Sequence, residues 1–176
     1  MNVIKNEKIE MLNRFVQNTD VHIFLTGKAG TGKTTFLRNL TLNTHKRMVV
    51  VAPTGVAAIN AGGVTIHSFF QLPFGPIVPD TGTVSKSLPV AGLNAQKINK
   101  TKLKIMRSLD LLVIDEISMV RADLLDAIDA VLRKARRNKK AFGGVQLLMI
   151  GDIQQLAPVA RPNEWELLQP YYKSVY

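Results

Sequence analysis

GKAGTGKT, residues 27–34, is the stretch of this chain that decides the fold. It matches the pattern G-x-x-x-x-G-K-[ST], and it lies between an apolar run, residues 21–26, and a segment with helical spacing, residues 33–42. Glycines let the backbone wrap closely around a phosphate, and successive amides at a helix N-terminus direct positive dipoles toward it. In this pattern Lys33 reaches the β- and γ-phosphates, and the Thr34 hydroxyl ligates magnesium. The stretch therefore predicts a nucleotide-binding strand, loop and helix.

Apolar runs rich in β-branched residues alternate with helical patterns along the chain. The four runs are residues 21–26, 48–52, 111–115 and 145–150. Parallel strands that are covered on both faces have continuous apolar sequences of this kind. Residues 120–137 carry an apolar stripe at helical spacing, with acids early and bases late, and Ile9, Leu12 and Val16 indicate a leading helix. We therefore expect an α/β fold, with a mostly parallel sheet and helices on both faces.

Threonines predict the starts of two short helices. Thr54 can cap a helix that runs through Ile59 and ends at Gly62-Gly63, and Thr65 can cap the next. Residues 72–92 contain four prolines and three glycines, which predict a long surface excursion. The length of 176 residues predicts one domain, residues 1–176.

The charge of the chain is strongly basic, with a net charge of +10. Five bases lie in residues 97–107 and six in residues 133–140, and neither run contains an acid. Each run is either a solvated helix face or part of a surface for a polyanion such as nucleic acid. A role in nucleic-acid binding therefore needs a second, independent observation.

The composition excludes several other classes of protein. The chain has no cysteine, so disulfides, thiolate catalysis and thiolate zinc sites are excluded, and its three histidines lack metal-ligand spacing. Its apolar runs are far shorter than a membrane span, and the first ten residues are too charged for a secretory signal. We expect a soluble, cytoplasmic protein without a membrane partner, associated with the nucleoid if its source is prokaryotic.

Acidic and amide side chains follow two of the predicted strands. Asp115 and Glu116 come directly after an apolar strand, where an aspartate can hold magnesium through its water shell and a glutamate can deprotonate attacking water. Gln154 follows the fourth strand, and its amide can bond a γ-phosphate. Strands often end in acids and polar loops are common, so these residues alone do not indicate a site. They indicate a nucleotide site only in combination with the phosphate loop.

Five stretches in order resemble one family. They are GKAGTGKTT (27–35), APTGVAA (52–58), TIHSFF (65–70), IDEIS (114–118) and GDIQQLAPV (151–159). Together they look like the first motor domain of the petite-integration-frequency helicases. These enzymes belong to superfamily 1B, as RecD does, and move 5′ to 3′ on single-stranded DNA. The resemblance covers residues 21–159, and members of the family act in DNA repair and telomere maintenance.

The resemblance implies a fold and an activity. The fold would be that of a RecA-like P-loop NTPase, with the Gly151 strand inserted between the strands that precede Gly27 and Asp115. The activity would be that of an ATP-dependent DNA helicase with ATP and Mg²⁺ as cofactors and single-stranded DNA as a partner. Its catalytic residues would be Lys33, Asp115, Glu116 and Gln154, and its magnesium ligands Thr34 and Asp115. The residues that would bind ATP are Gly27, Ala29, Gly30, Thr31, Gly32, Lys33, Thr34 and Thr35.

The resemblance also implies DNA contacts. Pro53, Thr54 and Gly55 would meet the DNA backbone, with His67 and Ser68 in the next DNA-contacting segment. We expect Phe69 and Phe70 to lie in the core.

The chain departs from the family pattern in two respects. The family motor has two RecA-like halves, and the second supplies arginines to the γ-phosphate, so we expect this chain to be a piece of a longer protein and nearly inactive alone. The missing C-terminal RecA-like domain is then a partner. The family also reads adenine with an upstream glutamine, but Gln17 lies too close to the first strand, and the region of Glu10 occupies the expected distance.

Two other functions remain open from the sequence. One is a nucleotide-gated module that binds DNA or protein without turnover. The other is a small-molecule P-loop kinase, which the pair Asp115-Glu116 fits poorly because it suggests attack by water.

Overall fold

Five parallel strands form the centre of the molecule, as described by a computed structural model that covers residues 7–28, 30–79, 98–152 and 154–174. The strands are β1 (Ile23–Thr26), β2 (Met48–Ala52), β3 (Val64–Thr65), β4 (Leu111–Ile114) and β5 (Gln146–Gly151). The helices are α1 (Glu7–Asn18), α2 (Lys33–Asn43), α3 (Gly55–Asn60), α4 (Ile66–Phe70), α5 (Lys100–Ser108), α6 (Ala122–Arg136) and α7 (Pro162–Leu168). Short 3₁₀ helices span Ile117–Met119 and Ala141–Gly144.

The strand order is β1-β5-β4-β2-β3, and every pairing is parallel. The expected insertion of the Gly151 strand between the Gly27 and Asp115 strands is confirmed, because β5 lies between β1 and β4. Parallel pairing places the carboxyl ends of all strands at one edge of the sheet. We call this the carboxyl edge, and the residues that directly follow the strands there are Gly27, Pro53, Ile66, Asp115 and Asp152.

The core has two layers that meet across β4, whose four residues are all fully buried. Leu111 and Val113 pack with α1 and α2, through Val16, Phe36, Leu37 and Leu40. Leu112 and Ile114 pack on the other face with α4, α5 and α6. Phe69 and Phe70 lie in this second layer with edge-to-face rings 4.9 Å apart, so the expectation that both are core residues is confirmed. Helices on both faces explain why β4 is a continuous apolar run.

Most predicted elements occur with small shifts of their ends. Thr54 caps α3 by accepting the Ala57 N–H, and Thr65 caps α4 by accepting the Ser68 N–H, as predicted. The predicted helix over 120–137 begins at Ala122, because the 3₁₀ turn Ile117–Met119 ends in an extended Val120. Of the predicted excursion, residues 72–79 are described, whereas residues 80–92 lie outside the described residues.

Two arginines of the basic runs fit neither a solvated helix face nor a free surface for a polyanion. Helices α5 and α6 pack together and end near the amino ends of β4 and β5, opposite the carboxyl edge. The Arg136 guanidinium donates to four backbone carbonyls, those of Met106 (3.0 Å), Arg107 (2.8 Å), Leu109 (2.9 Å) and Gly143 (2.8 Å). Arg107 donates in turn to the Ala135 carbonyl at 3.1 Å. At least these two cations therefore hold elements together.

Within the described residues, no helix is both long and apolar enough to cross a membrane.

Replacing Arg136 tests this role. Arg136→Ala should lower the free energy of unfolding by about 2–3 kcal/mol, because it leaves several part-buried carbonyls without their charged donor. Lys134→Ala is the matched control, since Lys134 is an exposed cation two residues away on the same helix, and its loss should cost less than about 0.5 kcal/mol. Urea denaturation measures both. Equal stability of the two variants would contradict the structural role.

Candidate active site

The phosphate loop connects β1 to α2 at the carboxyl edge. Gly30 and Gly32 have φ of +76° and +90°, a backbone conformation that other residues adopt only with strain. No atom lies within 4 Å of a Cβ built on either glycine, so the loop is open on that side. Gly32 caps α2 without a side-chain hydrogen bond, which leaves the N–H groups of the first turn for another acceptor. The predicted site residue Ala29 lies outside the described residues.

The Lys33 ammonium lies against the backbone of this loop. It donates to the Gly27 carbonyl and, at 3.0 Å, to the Lys28 carbonyl, while Thr31 donates its hydroxyl to the Lys28 carbonyl at 2.8 Å. The charge of Lys33 also reaches the two acids that follow β4, because it partly offsets the burial that raises the pKa of Asp115 and Glu116. The predicted lysine and the predicted acid pair thus both lie at the carboxyl edge.

The acid pair is held by the backbone of the neighbouring strand. Asp115 donates its N–H to the Val51 carbonyl at 2.9 Å, and its carboxylate accepts the Glu116 N–H at 3.0 Å. Burial raises the pKa of Asp115, against the hydrogen bond from Glu116 and the charge of Lys33. Burial also raises the pKa of Glu116, and the neighbouring charge of Asp115 raises it further. A carboxylate with a raised pKa is a better proton acceptor, which suits the predicted role of Glu116.

The predicted Gln154 is exposed, just past the end of β5. Its position depends on Asp152, a buried acid that the sequence reasoning did not single out. The Asp152 carboxylate accepts the Gln154 N–H at 3.0 Å and the Gln155 side-chain amide at 3.1 Å. An aspartate that bonds the backbone two residues on is a frequent local turn, and this was the signal available in the sequence.

Gly151 permits the close packing beside this turn. A Cβ at Gly151 would lie 2.9 Å from Ile117 Cγ2 and 3.1 Å from Ile117 N. A larger residue would therefore push the segment after Glu116 away from β5. The glycine at this position therefore lets the segment after the acid pair pack closely against the end of β5.

The residues predicted to hold magnesium fit that ion. Thr34 is exposed at the start of α2, and the Asp115 carboxylate follows β4. The described part of the chain contains no group of three or more His, Asp or Glu side chains that could hold a metal ion alone. Magnesium is commonly bound through one or two carboxylates plus phosphate oxygens and water. One hydroxyl and one carboxylate beside a phosphate loop match that pattern.

The residues predicted to contact DNA lie farther along the same edge. Pro53, Thr54 and Gly55 follow β2, and His67 and Ser68 follow its parallel neighbour β3. The His67 ring stacks on Phe74, with ring centroids 4.7 Å apart and planes inclined by 19°. Burial, and then the charge of Arg121, lowers the pKa of His67. The two segments are brought together because β2 and β3 pair side by side.

Gln17, which lies too close to the first strand in sequence to match the family's adenine-reading glutamine, packs against α2. Gln17 accepts the Thr44 hydroxyl at 3.3 Å, at the C-terminal end of α2, away from the phosphate loop.

A family profile described as "PIF1-like helicase" matches residues 4–169. The chain belongs to the PIF1-like helicases. The "ATP-dependent DNA helicase PIF1" of Saccharomyces cerevisiae (strain YJM789) is 39% identical over 150 residues, which are 81% of this chain and 16% of that protein. The protein of the same name from Homo sapiens is 39% identical over 143 residues, covering 81% of this chain and 21% of that protein. The chain therefore spans about a fifth of the length of these relatives.

Solved structures of this family share the fold. Bacteroides sp Pif1 in complex with ADP-AlF4 is 43% identical, with a TM-score of 0.86 over 99% of this chain and 38% of that chain. The Pif1 helicase of Candida albicans is 33% identical, with a TM-score of 0.69 over 92% of this chain and 35% of that chain. The expected RecA-like fold is confirmed by this likeness.

The raised pKa of Asp115 predicts a gain in stability when its charge is removed. A carboxyl group whose pKa rises on folding favours the unfolded state at neutral pH, and this cost disappears below the pKa of the unfolded chain. Asp115→Asn should therefore raise Tm at pH 7 by about 1–2 °C, and the gain should vanish below about pH 4.

Asp110→Asn supplies the control of opposite sign. The Arg47 side chain lowers the pKa of Asp110, so its charge stabilises the fold above the pKa of the unfolded chain. This variant should have a lower Tm at pH 7. Thermal unfolding across pH 3 to 8 measures both variants, and a lower Tm for Asp115→Asn at pH 7 would contradict the account of the acid pair.

Proposed function

We propose that this chain is the ATP-binding half of a 5′-to-3′ DNA helicase that moves on single-stranded DNA by hydrolysing Mg-ATP. The observation that supports the proposal most is the placement of Lys33, Asp115 and Glu116 at the carboxyl edge beside the phosphate loop. Gln154 lies just past the end of β5, the strand between β1 and β4. Two relatives support the proposal. The Saccharomyces cerevisiae relative is named "ATP-dependent DNA helicase PIF1", and a structure of Bacteroides Pif1 is a complex with ADP-AlF3 and ssDNA.

The phosphate loop would bind the nucleotide through its backbone. The N–H groups at the start of α2 are directed at the loop, and the ammonium of Lys33 is already placed at its carbonyls. On binding, Lys33 would exchange these carbonyls for β- and γ-phosphate oxygens. The proposed nucleotide-binding set is Gly27, Ala29, Gly30, Thr31, Gly32, Lys33, Thr34 and Thr35.

Glu116 would act as the base in hydrolysis. Its raised pKa and its place beside Asp115 suit it to orient a water molecule and accept the proton of that water. Thr34 and Asp115 would hold magnesium, which when bound neutralises charge on the phosphate oxygens. Gln154, fixed by the Asp152 turn, would contact the γ-phosphate and respond to its loss.

DNA would lie along the part of the carboxyl edge formed by Pro53, Thr54, Gly55, His67 and Ser68. The Thr54 hydroxyl accepts the Ala57 N–H and can still donate its own proton to a phosphate. Backbone and hydroxyl groups of these residues would supply the contacts to the phosphates. Such contacts position a strand without reading its sequence.

A second RecA-like half would complete the motor. In this proposal residues 1–176 act as one RecA-like domain with residues 72–92 as its surface excursion, and the remaining part of the relatives' length supplies arginines to the γ-phosphate. An arginine supplied in this way is worth roughly 10³–10⁵ in rate for this chemistry. Turnover by this chain alone should therefore be very slow.

Lys33→Ala tests the nucleotide site. Loss of its charged hydrogen bonds should weaken Mg-ADP binding by about 10- to 100-fold. Lys28→Ala is the matched control, because Lys28 is an exposed lysine of the same loop, and its loss should change the affinity by less than about threefold. Calorimetric titration measures both variants. Equal affinity of Lys33→Ala and the wild type would refute the phosphate-loop assignment.

Glu116→Gln separates hydrolysis from mere binding. In the protein that carries both motor halves, this variant should bind Mg-ATP as the wild type does but turn it over at least about 100-fold more slowly. A nucleotide-gated binding module predicts no change in turnover, because it has none beyond background. Binding by calorimetry and phosphate release in the presence of single-stranded DNA give the two readouts. Wild-type turnover in the variant would assign the base to another group.

A further inference from the structure

Phe74 is an exposed aromatic residue in a segment that is firmly held. Its side chain is 88% exposed, yet its ring lies flat on His67. The neighbouring Leu72 and Ile77 are buried in the core on either side of it. The side chain of an exposed phenylalanine is usually free to move. This ring instead has His67 against one face and solvent at the other.

Hydrogen bonds from distant parts of the chain fix the backbone around Phe74. The Gln71 side chain accepts the Asn99 N–H at 2.6 Å, just before α5. The Gly75 carbonyl accepts the Arg121 guanidinium at 2.7 Å, and Ile77 donates its N–H to the Asp123 carboxylate at 2.9 Å. These bonds tie residues 71–77 to the starts of α5 and α6.

The two groups that hold Gly75 and Ile77 also hold each other. Arg121 and Asp123 form a two-pronged ion pair, with both N···O distances at 2.9 Å, and the Asp123 side chain is only 1% exposed. Glu164 of α7 lies 3.5 Å from the same guanidinium. A paired, buried carboxylate has little freedom, so the backbone bonded to it is fixed as well.

The surroundings of Phe74 suit a nucleic-acid strand. His67, beneath the ring, begins the second proposed DNA segment. At the next residue, the Ser68 carbonyl accepts a hydrogen bond of 2.5 Å from the Lys102 ammonium. A positive charge therefore lies in the second proposed DNA segment, at the residue next to the His67 that supports the Phe74 ring. Proteins that bind single strands combine such charges for the phosphates with aromatic rings on which bases stack.

We infer that Phe74 is a base-stacking residue of the DNA track, with His67 as the support behind its ring. This inference rests on the proposed function, because it needs a single strand on the carboxyl edge. The ligand of Phe74 is a nucleobase of any type, since every base has a π-face. Stacking gives affinity without sequence preference, which complements the phosphate contacts of Thr54 and Ser68.

Abasic oligonucleotides separate stacking from phosphate contacts. Fluorescence anisotropy would compare a labelled dT oligonucleotide with one of equal length whose central sugars carry no base. The wild type should bind the intact strand about tenfold more tightly, a conservative value for loss of one stacked base. Phe74→Ala should bind the intact strand as weakly as the abasic one, whereas Phe74→Tyr should restore the preference.

Salt dependence and a second phenylalanine provide the controls. Stacking releases no counterions, so Phe74→Ala should keep the wild-type slope of log affinity against log salt. Phe15→Ala removes another exposed phenylalanine, on α1, and should leave the preference unchanged. Phe74 is so exposed that its removal should not affect folding, which circular dichroism checks.

The possible failures are distinguishable. Unchanged preference for intact DNA in Phe74→Ala would overturn the stacking role alone, as would a wild type that binds both strands equally with a normal salt slope. A wild type that binds neither strand would overturn the proposed function and, with it, the role of Phe74.

Discussion

The site depends on one constraint, the insertion of β5 between β1 and β4 in an all-parallel sheet. The register pairs Thr26 with Gly151 and Ile114 with Met149, so the phosphate loop, the acid pair and the glutamine turn all leave the sheet at the same edge. A shift of β4 by one residue would draw Asp110 or Asp115 between the two apolar layers, and burial of a charged group is costly. The packing of the sheet thus positions the functional groups at its carboxyl edge.

The charges at this edge work against stability. Asp115 and Glu116 are placed where burial raises the pKa of each, and Glu116 adopts a left-handed backbone conformation with φ of +51°. Lys33 partly offsets the two negative charges. Such strain and repulsion are common at functional sites, where the rest of the fold supplies the compensating stability. At the opposite edge of the sheet, where the strands begin, charges stabilise the fold instead. Arg47 and Asp110 form an ion pair there with two side-chain hydrogen bonds of 2.7 Å.

The sequence predicted what is decided locally. The phosphate loop, four of the strands and the two threonine caps follow from patterns within about ten residues, and the family resemblance added the strand order. What it did not predict depends on contacts between distant residues. Helix α7 is placed by Glu164 near Arg121, and the two-residue strand β3 exists only because it pairs with β2. The roles of Arg136 and Phe74 likewise depend on contacts between residues up to 46 positions apart, and no local pattern could reveal them.

Hydrogen exchange shows directly whether three separate stretches form one nucleotide site. Amide exchange would be measured by mass spectrometry with and without Mg-ADP and aluminium fluoride. Nucleotide should protect three stretches together, namely residues 27–35, 115–118 and 151–155, while the amides of α5 exchange as before. Protection limited to residues 27–35, with no change after β4 and β5, would contradict a single nucleotide site.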